Sequence, residues 1–163
     1  MSRRASNGLL FGAPGQPQYD NTSACGTPTI DIGHAVQTVG WTDPANFRTA
    51  WDVMNVYWSY DWYCVYLVGG DHTAYWLTTT GWSLLGFYTS VTYSYYHDYL
   101  TAWGYSFYQN TGFILCSGTV NANVRRNQAI ATSDGQSYFD YDADISGPAC
   151  TILLGLFIDQ SRT

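Results

Sequence analysis

The chain has 163 residues, a formal net charge of −6, 18% aromatic residues and only 11% charged residues, against about 25% charged in an average globular protein. Every acidic residue is Asp and every basic residue is Arg; there is no Lys and no Glu. One domain of this length buries a core without help from a metal, and the acidic balance excludes a protein whose main task is to neutralise phosphates.

Residues 1–28 read as an extended N-terminal arm ahead of a single domain over 29–163. The arm is punctuated by GAPGQP (12–17), is otherwise rich in Ser, Asn and Gln, and has no apolar periodicity that would let it fold alone. Leu9, Leu10 and Phe11 are its apolar anchors, expected to lie against another subunit. The apolar run around them is too short for a signal peptide. No stretch approaches the ~18 apolar residues of a membrane helix. Synthesis in the cytoplasm without a signal peptide, and no transmembrane segment, are therefore expected. Asn21-Thr22-Ser23 is a glycosylation acceptor triplet, a coincidence in a chain without an export signal.

From 29 to 41, TIDIGHAVQTVGW alternates as strand. TDPANFRTAWDVM (42–54) carries helix signals: Thr42 or Asp43 as cap, Pro44 at the first helical position, and Phe47, Ala50, Trp51 and Met54 at helical spacing. One short helix near 44–54 is expected. Beyond 55, short runs rich in Tyr, Val, Thr, Trp and Phe alternate with Gly, Asn and Asp turns, the pattern of an all-β chain. The expected fold is a β-sandwich or jelly-roll-like domain, with the apolar 150–158 as a central strand.

Four cysteines, Cys25, Cys64, Cys116 and Cys150, are too widely scattered for a zinc cluster. They suit two disulfides in three connectivities, or four buried thiols; Cys64 and Cys116 lie in strand-like runs and are expected to be buried. In SYFDYDADI, Asp140, Asp142 and Asp144 stand two apart, which puts three carboxylates on one face of a strand. That suits a solvated acidic face or, more weakly, a calcium ion. His34, His72 and His97 are far apart in sequence, and no G-x-S-x-G, P-loop, G-x-G-x-x-G or H-E-x-x-H spacing occurs. No enzymatic activity and no cofactor are expected.

Half of the sixteen positions in YSYYHDYLTAWGYSFY (93–108) are aromatic. A single core does not need so many hydroxyl-bearing rings, so part of this stretch is expected under a partner. Tyr93, Tyr95, Tyr96, Tyr99 and Trp103 are the candidate interface or ligand-binding residues. Lys and Glu, the residues missing here, are costly to immobilise and depleted at interfaces where Tyr, Trp and Arg are enriched. Lys is also the favoured guard of an exposed strand edge.

LTTTGWSLLGFYTSVTYSYY (77–96) resembles the strand and Tyr/Trp-rich loop with which actinoporin-type cytolysins and related fungal lectins contact lipid head groups. SGPACTILLGLFI (146–158) resembles their closing strand. The likeness covers about a fifth of the chain, needs an insertion inside a strand, and lacks the amphipathic N-terminal helix those toxins insert. What it implies is a lipid-head-group- or carbohydrate-binding module, the alternative to the main expectation. That main expectation is a structural subunit of a viral, phage or extracellular assembly (capsid, decoration, tail or filament component). Its partners would be copies of itself and other subunits, without strong nucleic-acid binding.

Overall fold

The computed structural model describes residues 1–8, 31–113, 118–148 and 153–163. Among the described residues there are nine strands: β1 (Ser2–Gly8), β2 (Asp31–Thr42), β3 (Arg48–Tyr60), β4 (Val65–Leu77), β5 (Trp82–Tyr93), β6 (Tyr99–Asn110), β7 (Val120–Thr132), β8 (Ser137–Ser146) and β9 (Gly155–Arg162). They form two antiparallel sheets, ordered β1-β4-β3-β2-β9 and β5-β6-β7-β8. Two meanders, β2-β3-β4 and β5-β6-β7-β8, therefore make up most of the two layers, and β9 and β1 complete the first sheet at its edges. No helix among the described residues is long and apolar enough to cross a membrane.

Period-2 burial is clean where the two sheets face each other. On β6, Leu100, Ala102, Gly104, Ser106, Tyr108 and Asn110 point inward while the residues between them stay partly exposed. On β3, Ala50, Asp52, Met54, Val56 and Trp58 do the same. The apolar side chains gather in two clusters. One contains Met54, Val56, Trp58, Leu67, Leu100 and Ala129; the other contains Val39, Trp41, Trp82, Tyr108, Val120 and Val124.

Between the clusters runs a belt of fully buried polar side chains: Gln37, Asp52, His72, Ser106 and Asn127 are each 0% exposed. Asp52 Oδ2 lies 2.6 Å from His72 Nε2 and accepts from Ser106 Oγ at 2.7 Å. Asp52 Oδ1 accepts from Asn127 Nδ2 at 2.6 Å. His72 Nδ1 meets the Thr89 hydroxyl at 2.7 Å. Gln37 donates to Asn127 Oδ1 and to the Asp140 carbonyl, and accepts from Gln160 at 2.9 Å. Eight of the nine strands thus contribute to one hydrogen-bonded belt. Close approach at its centre requires a glycine: a Cβ on Gly104 would lie 2.4 Å from His72 Cε1 and 2.5 Å from the Tyr88 carbonyl oxygen.

Three expectations are corrected. There is no helix near 44–54. Asp43 instead caps a tight turn by accepting the Ala45 and Phe47 N–H groups at 3.0 and 2.9 Å, Asn46 takes a left-handed φ of 65°, and β3 begins at Arg48. Residues 2–8 are not part of an arm that leaves the domain: they pair with β4 of the same chain, Ser2 opposite Leu77 and Gly8 opposite Asp71. The remainder of 1–28, with Leu9, Leu10 and Phe11, lies outside the described residues. The closing strand is not central. It spans Gly155–Arg162 and pairs with β2 at the sheet's edge, leaving most of its side chains exposed.

Two stability predictions follow from the belt. Asp52→Ala strips three buried side chains of their hydrogen-bond partner and is expected to cost about 3–5 kcal/mol in chemical denaturation, as leaving several buried polar groups unsatisfied does. The second concerns alkaline pH. Burial, and next the Asp52 carboxylate, push the Tyr108 hydroxyl well above its ordinary value of 10.0. Because the folded-state value is the raised one, this contribution to stability is complete below pH 10 and is lost as pH rises through the folded value. Unfolding midpoints should therefore fall above about pH 10. Tyr108→Phe should flatten that decline while costing about 1 kcal/mol at neutral pH, through loss of the 2.7 Å bond to the Trp51 carbonyl.

Candidate functional site

Three hairpins meet at the end of the sandwich where β3, β5 and β7 finish. In 61–64, Asp61 Oδ1 accepts the Tyr63 and Cys64 N–H groups at 3.0 and 2.7 Å. Trp62 is held at a left-handed φ of 72°, a conformation that costs a bulky side chain energy. In 94–98, the Ser94 and Asp98 side chains hydrogen-bond, His97 has φ 58°, and its ring stacks on Tyr93 at 4.9 Å. In 133–136, Gly135 turns the chain at φ 81°. Asp134 is held below the usual carboxylate range by the Thr132 hydroxyl and then by the Gln136 N–H.

The three hairpins are tied to one another through the backbone. Trp62 N donates to the Ser133 carbonyl, Ser133 N to the Asp98 carbonyl, and Val65 N to the His97 carbonyl, each at 2.8 Å. Cys64 is buried and disulfide-bonded; Cys25, Cys116 and Cys150 lie outside the described residues. On this hydrogen-bonded platform stand four well-exposed aromatic side chains: Trp62 at 71%, Tyr63 at 76%, Tyr95 at 60% and Tyr96 at 73% exposure. Tyr95 and Tyr96 meet edge to face at 4.9 Å.

A second aromatic feature covers the outer face of the four-stranded sheet. Trp103 packs on Tyr88 at 5.4 Å, Tyr88 on Tyr105 at 5.6 Å, and Tyr105 on Phe107 at 4.8 Å. The last two pairs are stacked, with ring planes within 20° of each other. These rings form a cross-strand ladder that stiffens the sheet. Beside it, Leu85, Phe107, Asn123 and Arg125 line an open hollow of about 430 Å³.

The candidate residues from sequence divide accordingly. Tyr95 and Tyr96 belong to the hairpin platform, with Tyr99 half-exposed at its margin. Trp103 belongs to the ladder. Tyr93 is internal: its hydroxyl accepts the Leu67 N–H at 3.1 Å. Trp62 and Tyr63 were not anticipated; the sign available was an aromatic pair in a turn, DWYC, where Gly or Asn is usual.

The three carboxylates of β8 do share one face, and two of them are partners of arginine. Asp140 pairs with Arg126 at 2.8 Å and Asp144 with Arg125 at 2.7 Å. No group of three His, Cys, Asp or Glu that could hold a metal occurs among the described residues. The three histidines are spread over the outer face of the larger sheet, the core and a hairpin. Asp52, His72 and Ser106 superficially suggest a nucleophile with its base. Yet the Ser106 hydroxyl donates to Asp52, not to His72, and all three are fully buried. The arrangement is a structural joint.

No protein-family model, curated protein or solved structure matches the chain.

The platform makes a local prediction. Trp62→Gly should relieve the left-handed strain and raise stability by up to about 1 kcal/mol, read as an increase in melting temperature, while removing one of the exposed rings. A fall in stability would mean that the Trp62 ring contributes to the fold.

Proposed function

We propose that this chain is a non-catalytic structural subunit that associates with copies of itself, and with other subunits, in a larger assembly through the aromatic pole. The observation that carries this reading is the exposure of Trp62, Tyr63, Tyr95 and Tyr96 on hairpins already locked by their own hydrogen bonds. Rings of this kind bury about 150–250 Å² each, so four of them, roughly two-thirds exposed, offer about 400–700 Å². That is most of the ~800 Å² per partner in a standard interface. Tyr and Trp have few rotatable bonds and the loops need no ordering, so little is lost on association. The Cys64 disulfide suits a protein that works outside a reducing cytoplasm. A virus or phage particle, or an extracellular filament, fits both properties.

The test is light scattering on a size-exclusion column across a range of protein concentration. The native chain is expected to exceed monomer mass at micromolar concentration. Changing Trp62, Tyr63, Tyr95 and Tyr96 together to Ser should weaken association by several kcal/mol, as loss of hot-spot aromatics does, and leave the β circular-dichroism spectrum unchanged. A native chain that stays monomeric at high concentration overturns the reading. So does a variant that self-associates unchanged; if that variant also loses glycan binding, the pole is a carbohydrate site.

A further inference from the structure

We infer that the partner of the aromatic pole is the opposite end of a second copy, so that subunits join head to tail; this rests on the assembly reading above. The two ends differ in charge. At the pole, Asp61, Asp98 and Asp134 sit in the hairpins, and Asp31 opens β2 opposite Tyr60. Arg162 is close by, with its guanidinium lying over the Phe139 ring at 4.8 Å. At the far end the balance reverses. Arg3 and Arg4 open β1, opposite Trp76 and Tyr75. Both are exposed, and neither is in an ion pair among the described residues. The carboxylates toward that end are fewer: Asp43, which caps its own turn as Asp61 and Asp134 do at the pole, and Asp159, which pairs with Arg48.

Strands of 12 and 13 residues separate the ends by about 40 Å at ~3.3 Å per residue. With a Debye length of about 8 Å at physiological salt, the two ends do not neutralise each other within one molecule. They do between molecules. Pole against pole would set carboxylates against carboxylates, and far end against far end would set arginines against arginines. Pole against far end puts the Arg3 and Arg4 guanidiniums near the exposed rings of Trp62, Tyr63 and Tyr96 and beside carboxylates, a setting for cation–π contact. Phe47, 68% exposed beside the turn at the far end, adds an apolar surface there. A contact between opposite ends is heterologous. It does not close on itself as a two-fold dimer, and it leaves a free pole and a free far end for the next copy.

The experiment uses two full-length variants. One changes Trp62, Tyr63, Tyr95 and Tyr96 to Ser; the other carries Arg3→Gln and Arg4→Gln. Circular dichroism confirms that both are folded. By light scattering and negative-stain microscopy the native chain should lengthen into linear oligomers as concentration rises. Each variant alone should associate at least tenfold more weakly. An equimolar mixture should give a one-to-one heterodimer and nothing longer, because each variant retains one intact end. Homodimers of the arginine variant at native affinity, or a mixture that stays monomeric, would overturn the head-to-tail arrangement while leaving the assembly reading in place. A native chain that remains monomeric overturns both.

Discussion

Asp52 sits at the centre of the sandwich with no exposure to solvent and three side chains bound to its carboxylate. A buried carboxylate is costly unless every lone pair is matched, so the positions of His72, Ser106 and Asn127 follow from it, and those of Thr89 and Gln37 follow in turn. Hydrophobic burial alone would not choose this arrangement. A strand that slips by one residue exposes its apolar face and is rejected by alternation. A strand that slips by two keeps its apolar residues inside and is hardly penalised by burial. On β3, Met54 stands opposite His72 and Asp52 opposite Ala74; a slip by two would carry the Asp52 carboxylate about 7 Å along the strand, away from Ser106 and Asn127 of the facing sheet. The belt therefore fixes the register that alternation leaves open.

That register is what makes the pole possible. A two-residue slip displaces a hairpin by about 7 Å along the strand. The bonds that link Trp62 to Ser133, Ser133 to Asp98 and Val65 to His97 are 2.8 Å long and would be lost. The path from core to surface is short: His72 packs against Gly104 and stacks on Phe87 at 4.5 Å, which locks β4 to β5 and β6, the strands that carry two of the three hairpins. The exposed rings are presented by a frame whose alignment is set in the interior.

The same belt explains what the sequence conceals. The all-β pattern was legible from 55 onward because β5, β6 and β7 are long and rich in β-branched and aromatic residues. The helix expected at 44–54 arose because Asp52 occupies a core position. With an acidic residue between Ala50 and Met54, the alternation is hidden, and Phe47, Ala50, Trp51 and Met54 are left to suggest a turn of helix. β1 gives no signal for a different reason: SRRASNG has no apolar alternation, and its place in the sheet shows only in its backbone pairing with β4. β9 reads as a core strand because Leu156, Phe157 and Ile158 are adjacent, yet it borders only β2. At the site, Tyr95 and Tyr96 were legible as aromatics beside a turn. Trp62 and Tyr63 were not, since left-handed backbone is normally the province of Gly and Asn.

The absence of Lys and Glu takes on a physical meaning in this frame. Asp is short enough to bind the N–H groups of its own turn, and Asp43, Asp61 and Asp134 all do so. A glutamate, one methylene longer, makes such turns poorly. Arg is used as a planar partner: Arg125 and Arg126 pair with the carboxylates of β8, and Arg48 and Arg162 lie over Phe157 and Phe139. Edge protection follows the same choice. The β8 edge is guarded by Asp140, Asp142 and Asp144, and the β1 edge by Arg3 and Arg4, in place of the lysines that usually keep edges apart. Most charged side chains among the described residues are thereby held in place, while Arg3 and Arg4 are left open at an end. A surface built this way gives up little conformational entropy when another molecule covers it, and the charges left unpaired then select which surface that is.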